Sequence, residues 1–180
     1  MTTELFVHPV NEMVYAATLS HDRLYRYRLS RTWGSGELMA WVMLNPSTAD
    51  SEVDDPTIRR CMGFARREGY DGIEVINLYG LRATKPKHLL DHPDPEGPDN
   101  LENWTDVLHN HRIGMVVAAW GAHAGMGHLP ASHAANRWRY GVRWMCLGTT
   151  NDGYPRHPLY VKGDTELSRF HLVDGGTSDN

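Results

Sequence analysis

The sequence has no apolar run able to cross a bilayer. Met39–Leu44 and Met115–Trp120 are among its longest, far short of the ~20 residues a membrane helix needs. Its N-terminus lacks the basic-then-apolar layout of a signal peptide. Two cysteines, Cys61 and Cys146, provide no disulfide framework, no four-cysteine metal set and no Cys-x-x-Cys. Together these absences point to a soluble protein of the reducing cytoplasm, with no membrane partner. A net charge of −4 excludes a chain that coats nucleic acid by bulk attraction, though a local basic face would still hold a few phosphates. No internal repeat is present. What is there is ordinary globular material: 180 residues, 41% hydrophobic and 22% charged, enough for one core and too few for two. Six Trp, eight Tyr and eleven His point to a polar-aromatic site, with unusual sensitivity between pH 5 and 8 from the His. The reading is one domain over residues 1–172, followed by a frayed Gly-, Ser- and Asp-rich tail at 173–180.

Residues 13–33 alternate as a β-hairpin around Ser20-His21-Asp22. Leu38–Leu44 reads as a strand buried on both faces, and Ile73–Leu78, Met115–Trp120 and Val142–Leu147 as three further strands. Asp55-Pro56 is a helix start, with Asp as N-cap and Pro at the first position, and the helix runs to Gly69. Ile58, Cys61, Met62 and Ala65 form its buried stripe, while Arg59, Arg60, Arg66 and Arg67 share the other face, either as solvated surface or as a phosphate-facing patch. Helical stretches near Asp99–His111 and Ala131–Tyr140 separate the later strands, and Lys85–Pro98 is a long connection. Strands alternating with helices predict an α/β fold: three layers, α/β/α, around a short, mostly parallel four-stranded sheet, with the hairpin appended at the N-terminus.

In such a sheet ligands bind beyond the carboxyl ends of the strands, where the loops diverge. Those ends are Asn45–Asp50, Asn77–Thr84, Gly121–His123 and Gly148–Tyr160, all polar, Gly/Pro-rich or both. A strand ending in Asn-Pro, a second ending in Asn, a third running into Gly-Ala-x-Ala and a fourth leading to His-Pro resemble the uracil-DNA glycosylase superfamily. Over most of its length the chain also resembles an uncharacterised bacterial and phage family with the pattern Leu-Asn-Pro-Ser-Thr-Ala-Asp, Asp-Pro-Thr, Asn-Leu-Tyr-x-x-Arg-Ala-Thr-x-Pro and His-Pro-Leu-Tyr. Here these are Leu44–Asp50, Asp55–Thr57, Asn77–Pro86 and His157–Tyr160.

The glycosylase resemblance implies that Asn45 positions the attacking water, Asn77 reads the edge of a flipped base, and His157 stabilises the leaving base. An amide offers a base edge both donors and an acceptor, and a donor near a base oxygen helps most in the transition state. Asn45 cannot take a proton, so either leaving-group stabilisation carries the reaction or Asp50 supplies a carboxylate. Pro46, Ser47, Thr48, Asp55, Thr57, Tyr79 and Tyr160 complete the expected base pocket, and Arg82, Thr84, Arg156 and Lys162 the expected phosphate contacts. Two departures stand out: Met43 replaces a small Gly, and His-Pro-Leu-Tyr lacks the Ser that touches a phosphate. The acidic cluster Asp50, Asp54 and Asp55 would repel phosphate and favour a polar group on an enlarged base.

Duller readings exist for each residue. Asn45-Pro46 ends a strand, His157 is a loop residue, and Asn77 is a strand-end hydrogen bonder. Tyr79 and Tyr160 pack, while Arg82 and Thr84 brace a loop. No metal is expected: His109 and His111 diverge on a helix, and His123, His128 and His133 lack a carboxylate or Cys at ligand spacing. Gly121–Gly127 carries neither GxGxxG nor a P-loop lysine, and neither cysteine is placed as a nucleophile. The expected function is a cofactor-free DNA glycosylase-like hydrolase acting on a modified base in DNA, with phage hypermodified pyrimidines as a target class. The alternatives are a catalytically silent binder of modified bases, and an enzyme acting on free nucleosides or in modified-base synthesis.

Overall fold

A computed structural model describes residues 1–7, 12–47, 54–85, 87–122 and 143–171. The predicted helix at 131–140 and the tail at 173–180 lie outside them. The strands are β1 (Thr2–Val7), β2 (Val14–Leu19), β3 (Arg26–Thr32), β4 (Leu38–Met43), β5 (Gly72–Asn77), β6 (Ile113–Ala118), β7 (Trp144–Cys146) and β8 (Ser168–Arg169). The helices are α1 (Pro56–Arg67), α2 (Lys87–Leu90) and α3 (Asn100–His109), with one 3-10 turn at Pro158–Tyr160.

All eight strands join one mixed sheet in the order β1-β2-β3-β5-β4-β6-β7-β8. This corrects the expected fold class, a four-stranded parallel sheet between helical layers. The runs read as parallel strands do pair in parallel, as β5-β4-β6-β7. The hairpin, however, is no appendage, because β3 pairs antiparallel with β5 from Arg28↔Ile76 to Thr32↔Gly72. The physical reason is that β5 would otherwise expose an apolar edge, and Leu29 of β3, opposite Val75, enters the same core. β1 and β8 were not read from the sequence: the first, Thr-Thr-Glu-Leu-Phe-Val, lacks apolar–polar alternation and the second is two residues long.

Alternation along β4 sorts the core into two faces. Met39, Trp41 and Met43 pack with Ile58, Cys61, Phe64 and Ala65 of α1. Ala40, Val42 and Leu44 pack with Trp104, Val107 and Leu108 of α3. The α1 stripe thus falls where its spacing predicted, except that Phe64 is buried and Met62 only half-buried. Among the described residues no helix is long and apolar enough to cross a membrane.

A carboxylate is buried inside this sheet. Glu74 is 6% exposed, held by Arg28 Nη2 at 3.2 Å, and its Oε2 has no hydrogen-bond partner among the described residues. Burial pushes its carboxyl pKa up, against the pull of Arg28 and Arg112. The folded state therefore favours the neutral acid: no penalty exists below the ordinary value of 4.5, and the full penalty applies once pH has risen through the raised folded value. Glu74→Gln should gain stability relative to the native protein as pH rises from acid to neutral. Denaturant midpoints of the two proteins, compared across that range, check this; a pH-independent difference would refute it.

The parallel strands position the site. After β4 the chain crosses one face through α1, and after β5 it crosses the opposite face through α3 to reach β6 on the other side of β4. The loops at the carboxyl ends of β4 and β5 therefore part, which opens a crevice at the point where strand order reverses.

Candidate functional site

A cavity of about 340 Å3 fills that crevice. Leu44, Asn45 and Ser47 reach it from the end of β4, and Asn77, Ala83 and Thr84 from the end of β5. Asp55, Thr57 and Ile58 come from the start of α1, and His157 and Tyr160 from the 3-10 turn. Two amides and one imidazole, separated by up to 112 residues of chain, thus share one hollow.

Each is held differently. Asn45 Nδ2 donates to the carbonyls of Pro46 at 3.0 Å and Ala83 at 2.8 Å. Two carbonyl partners fix the amide orientation, so Oδ1 is left as an acceptor with no partner among the described residues. Asn77 is 2% exposed, and its side chain makes no hydrogen bond to any described residue. Its carbonyl, by contrast, receives Trp104 Nε1 at 2.8 Å and Asn100 Nδ2 at 3.2 Å, which anchor the strand end from the opposite face. His157 caps the 3-10 turn, its Nδ1 accepting the Leu159 amide at 3.3 Å. An accepting Nδ1 places the proton of the neutral ring on Nε2, making that nitrogen a donor.

Asp55 is the predicted N-cap. Its Oδ1 takes the Ile58 amide at 2.8 Å and its Oδ2 the Ser47 hydroxyl at 3.1 Å, so its carboxylate frames the cavity and is not a free base. Met43, the departure from small Gly, forms an apolar wall with Ile58 and Val75. Arg26 is a lining residue that sequence reasoning missed. It is 4% exposed, and burial and the neighbouring Arg82 lower its pKa to about 10, against the pull of Asp55. The only sequence signal was a basic residue entering a hairpin strand, which reads as surface until the hairpin joins the sheet. Trp120, on the α3 side of the core, also reaches the cavity and was likewise missed.

Other expected site residues stand apart. Pro46 is buried and its carbonyl takes the Ala83 amide at 3.1 Å. Tyr79 packs half-buried against the α3-side core, and burial raises its hydroxyl pKa. Arg82 Nη1 donates to the Arg23 carbonyl, bracing the loop. Arg156 lines a neighbouring hollow, while exposed Lys162 lines neither. Thr48, Asp50, His123, His128 and His133 lie outside the described residues. Among the described residues no group of three His, Cys, Asp or Glu side chains converges as metal ligands.

The basic face of α1 serves neither solvent nor phosphate alone. Arg60 donates from Nε to the Pro158 carbonyl at 3.3 Å and from Nη2 to the Val161 carbonyl. Arg67 donates to the carbonyls of Gly163 and Thr165, both at 2.9 Å. Both guanidiniums lie over Phe64. The pair straps the segment carrying His157 onto the helix that carries Asp55. Arg60→Ala should cost about 1–3 kcal/mol in lost charged donors. It should also speed amide exchange at Leu159 and Tyr160 while leaving β4 protected. Unchanged exchange at those two amides would refute the strap.

No curated protein and no solved structure matches the chain. A family model described as "Protein of unknown function (DUF1643)" matches residues 26–159, a span that begins on the buried arginine of the cavity and takes in both amides and the imidazole. That span is well over half of the 180 residues, and the chain belongs to the DUF1643 family.

Proposed function

We propose that this chain hydrolyses the N-glycosidic bond of a modified base in DNA, as its resemblance to the uracil-DNA glycosylases implies. The observation that carries the reading is the meeting of Asn45, Asn77 and His157 in one hollow. The Asn77 side chain lines the cavity with no hydrogen-bond partner among the described residues, and a base edge offers its amide the matching acceptor and donor. With the base against Asn77, Asn45 Oδ1 accepts a hydrogen bond from water and orients its oxygen toward C1′. The oxygen–C1′ bond forms as the C1′–N bond breaks. The bonding pair leaves with the base, whose developing charge His157 Nε2–H stabilises, and the proton released from water ends on the base. No step calls for a cofactor. The place of action is the cytoplasm, where the two free thiols of Cys61 and Cys146 stay reduced.

The decisive screen offers DNAs bearing different modified bases, including phage hypermodified pyrimidines, and scores abasic sites by alkaline cleavage. Native protein should cleave at least one substrate, and Asn77→Ala and Asn45→Ala should not. A second reading has its own support: Asn45 cannot act as a base, and Asp55 is engaged by two donors. It makes the chain a silent reader of modified bases, and tight binding with no abasic sites would establish it. Base release from free nucleosides, unaffected by competitor DNA, would favour a small-molecule enzyme instead.

A further inference from the structure

A second hollow, of about 470 Å3, adjoins the first. It lies beyond the ends of β6 and β7, lined by Gly121, Ala122, Thr150, Asn151 and Arg156. His157 and Tyr160 belong to both cavities and form the ridge between them. Its frame is tied together by backbone bonds. The Gly121 amide donates to Pro155 and the Arg156 amide to Gly148, both at 3.0 Å, while Thr150 and Tyr154 close the turn at 2.8 Å. Arg156 is oriented within this frame, because its Nε donates to the Thr149 carbonyl at 3.0 Å. That bond leaves Nη1 and Nη2 without partners among the described residues, and no acidic side chain is among the described residues lining the hollow. A guanidinium fixed on one side and open on the other presents paired donors suited to a phosphate.

We propose that the second hollow is a phosphate subsite: a ligand whose ring lies in the first cavity crosses the His157–Tyr160 ridge and sets a phosphate against the open edge of Arg156. This rests on the reading of the first cavity as a base pocket and adds the place where the phosphate of its substrate is held. The phosphate is either the terminal group of a mononucleotide or a bridging group in a strand.

The first test uses inorganic phosphate, followed through the arginine Nε–H resonances, with that of Arg156 assigned by its loss in Arg156→Lys. The Arg156 signal should shift and saturate, and should do so equally in Asn77→Ala, whereas the signal of exposed Arg59 should not. An Arg156 signal that stays put, or drifts without saturating as Arg59 does, overturns the proposal. The second test measures affinity for nucleoside 5′-monophosphates and for a mixed-sequence single-stranded dodecamer across a salt series. If the phosphate is bridging, Arg156→Ala should lower the salt slope of the dodecamer by about 0.7. If it is terminal, the loss should fall on the monophosphates. Affinities and slopes that Arg156→Ala leaves unchanged for both probes overturn the subsite. A protein that binds phosphate at Arg156 yet releases no base keeps the subsite and sinks the hydrolytic reading. Base release undiminished by Arg156→Ala at every salt concentration does the reverse.

Discussion

His157→Ala is expected to slow base release by about a hundred- to a thousand-fold, the usual effect of deleting one preorganised donor to a developing anion. The two ring nitrogens have different partners. Nδ1 is committed to the Leu159 amide as the cap of the 3-10 turn, so Nε2 carries the proton and is the donor that the proposed hydrolysis uses. The two roles can be separated. His157→Asn retains a side-chain acceptor for the Leu159 amide but cannot reach as far as Nε2 does. It should preserve the turn and still be as slow as His157→Ala. If His157→Asn kept most of the rate, the ring would matter only as a cap. Single-turnover rates on the best substrate of the screen, with amide exchange at Leu159 as the structural control, decide between the two.

Trp104→Ala should be the most damaging change to stability. Trp104 is wholly buried in the α3-side core, and its Nε1 donates to the Asn77 carbonyl at 2.8 Å. Removing a buried indole costs about 3–5 kcal/mol. For a chain of this size that lowers Tm on the order of 10 °C. Trp104→Phe keeps most of the packing and deletes only the donor. It should cost less, about 1–3 kcal/mol for a weakened buried carbonyl, and should shift the Asn77 side-chain amide resonances. Calorimetry and those resonances test both halves. A Trp104→Phe protein with native Asn77 resonances would show that the strand end does not depend on this bond.

How far the sequence could be read follows from the range over which each signal acts. Alternation and apolar runs are local, and they located β4, β5, β6 and the α1 stripe within a residue or two. The Asp55-Pro56 start is local as well, and Asp55 does cap the helix. Pairing is not local. Nothing within residues 26–32 announces that β3 closes the open edge of β5, and without that contact the sheet looks half its size. Arg26 was overlooked for the same reason, since its burial depends on that pairing. The α1 arginines show the converse. Their spacing revealed a shared face, but the carbonyls they bind lie about a hundred residues away in an irregular segment that no periodicity marks. The amides and imidazole were legible because strand ends in an open parallel sheet converge by topology, whatever flanks them.

The central claim is hydrolysis at C1′ within this hollow, and it is tested most directly by running the reaction in 18O-labelled water and weighing both products. The account predicts one 18O atom in the abasic sugar, none in the released base, and neither product in His157→Ala over the same interval. Label in the base, release that persists in His157→Ala, or intact DNA after exposure to stoichiometric native protein would contradict it.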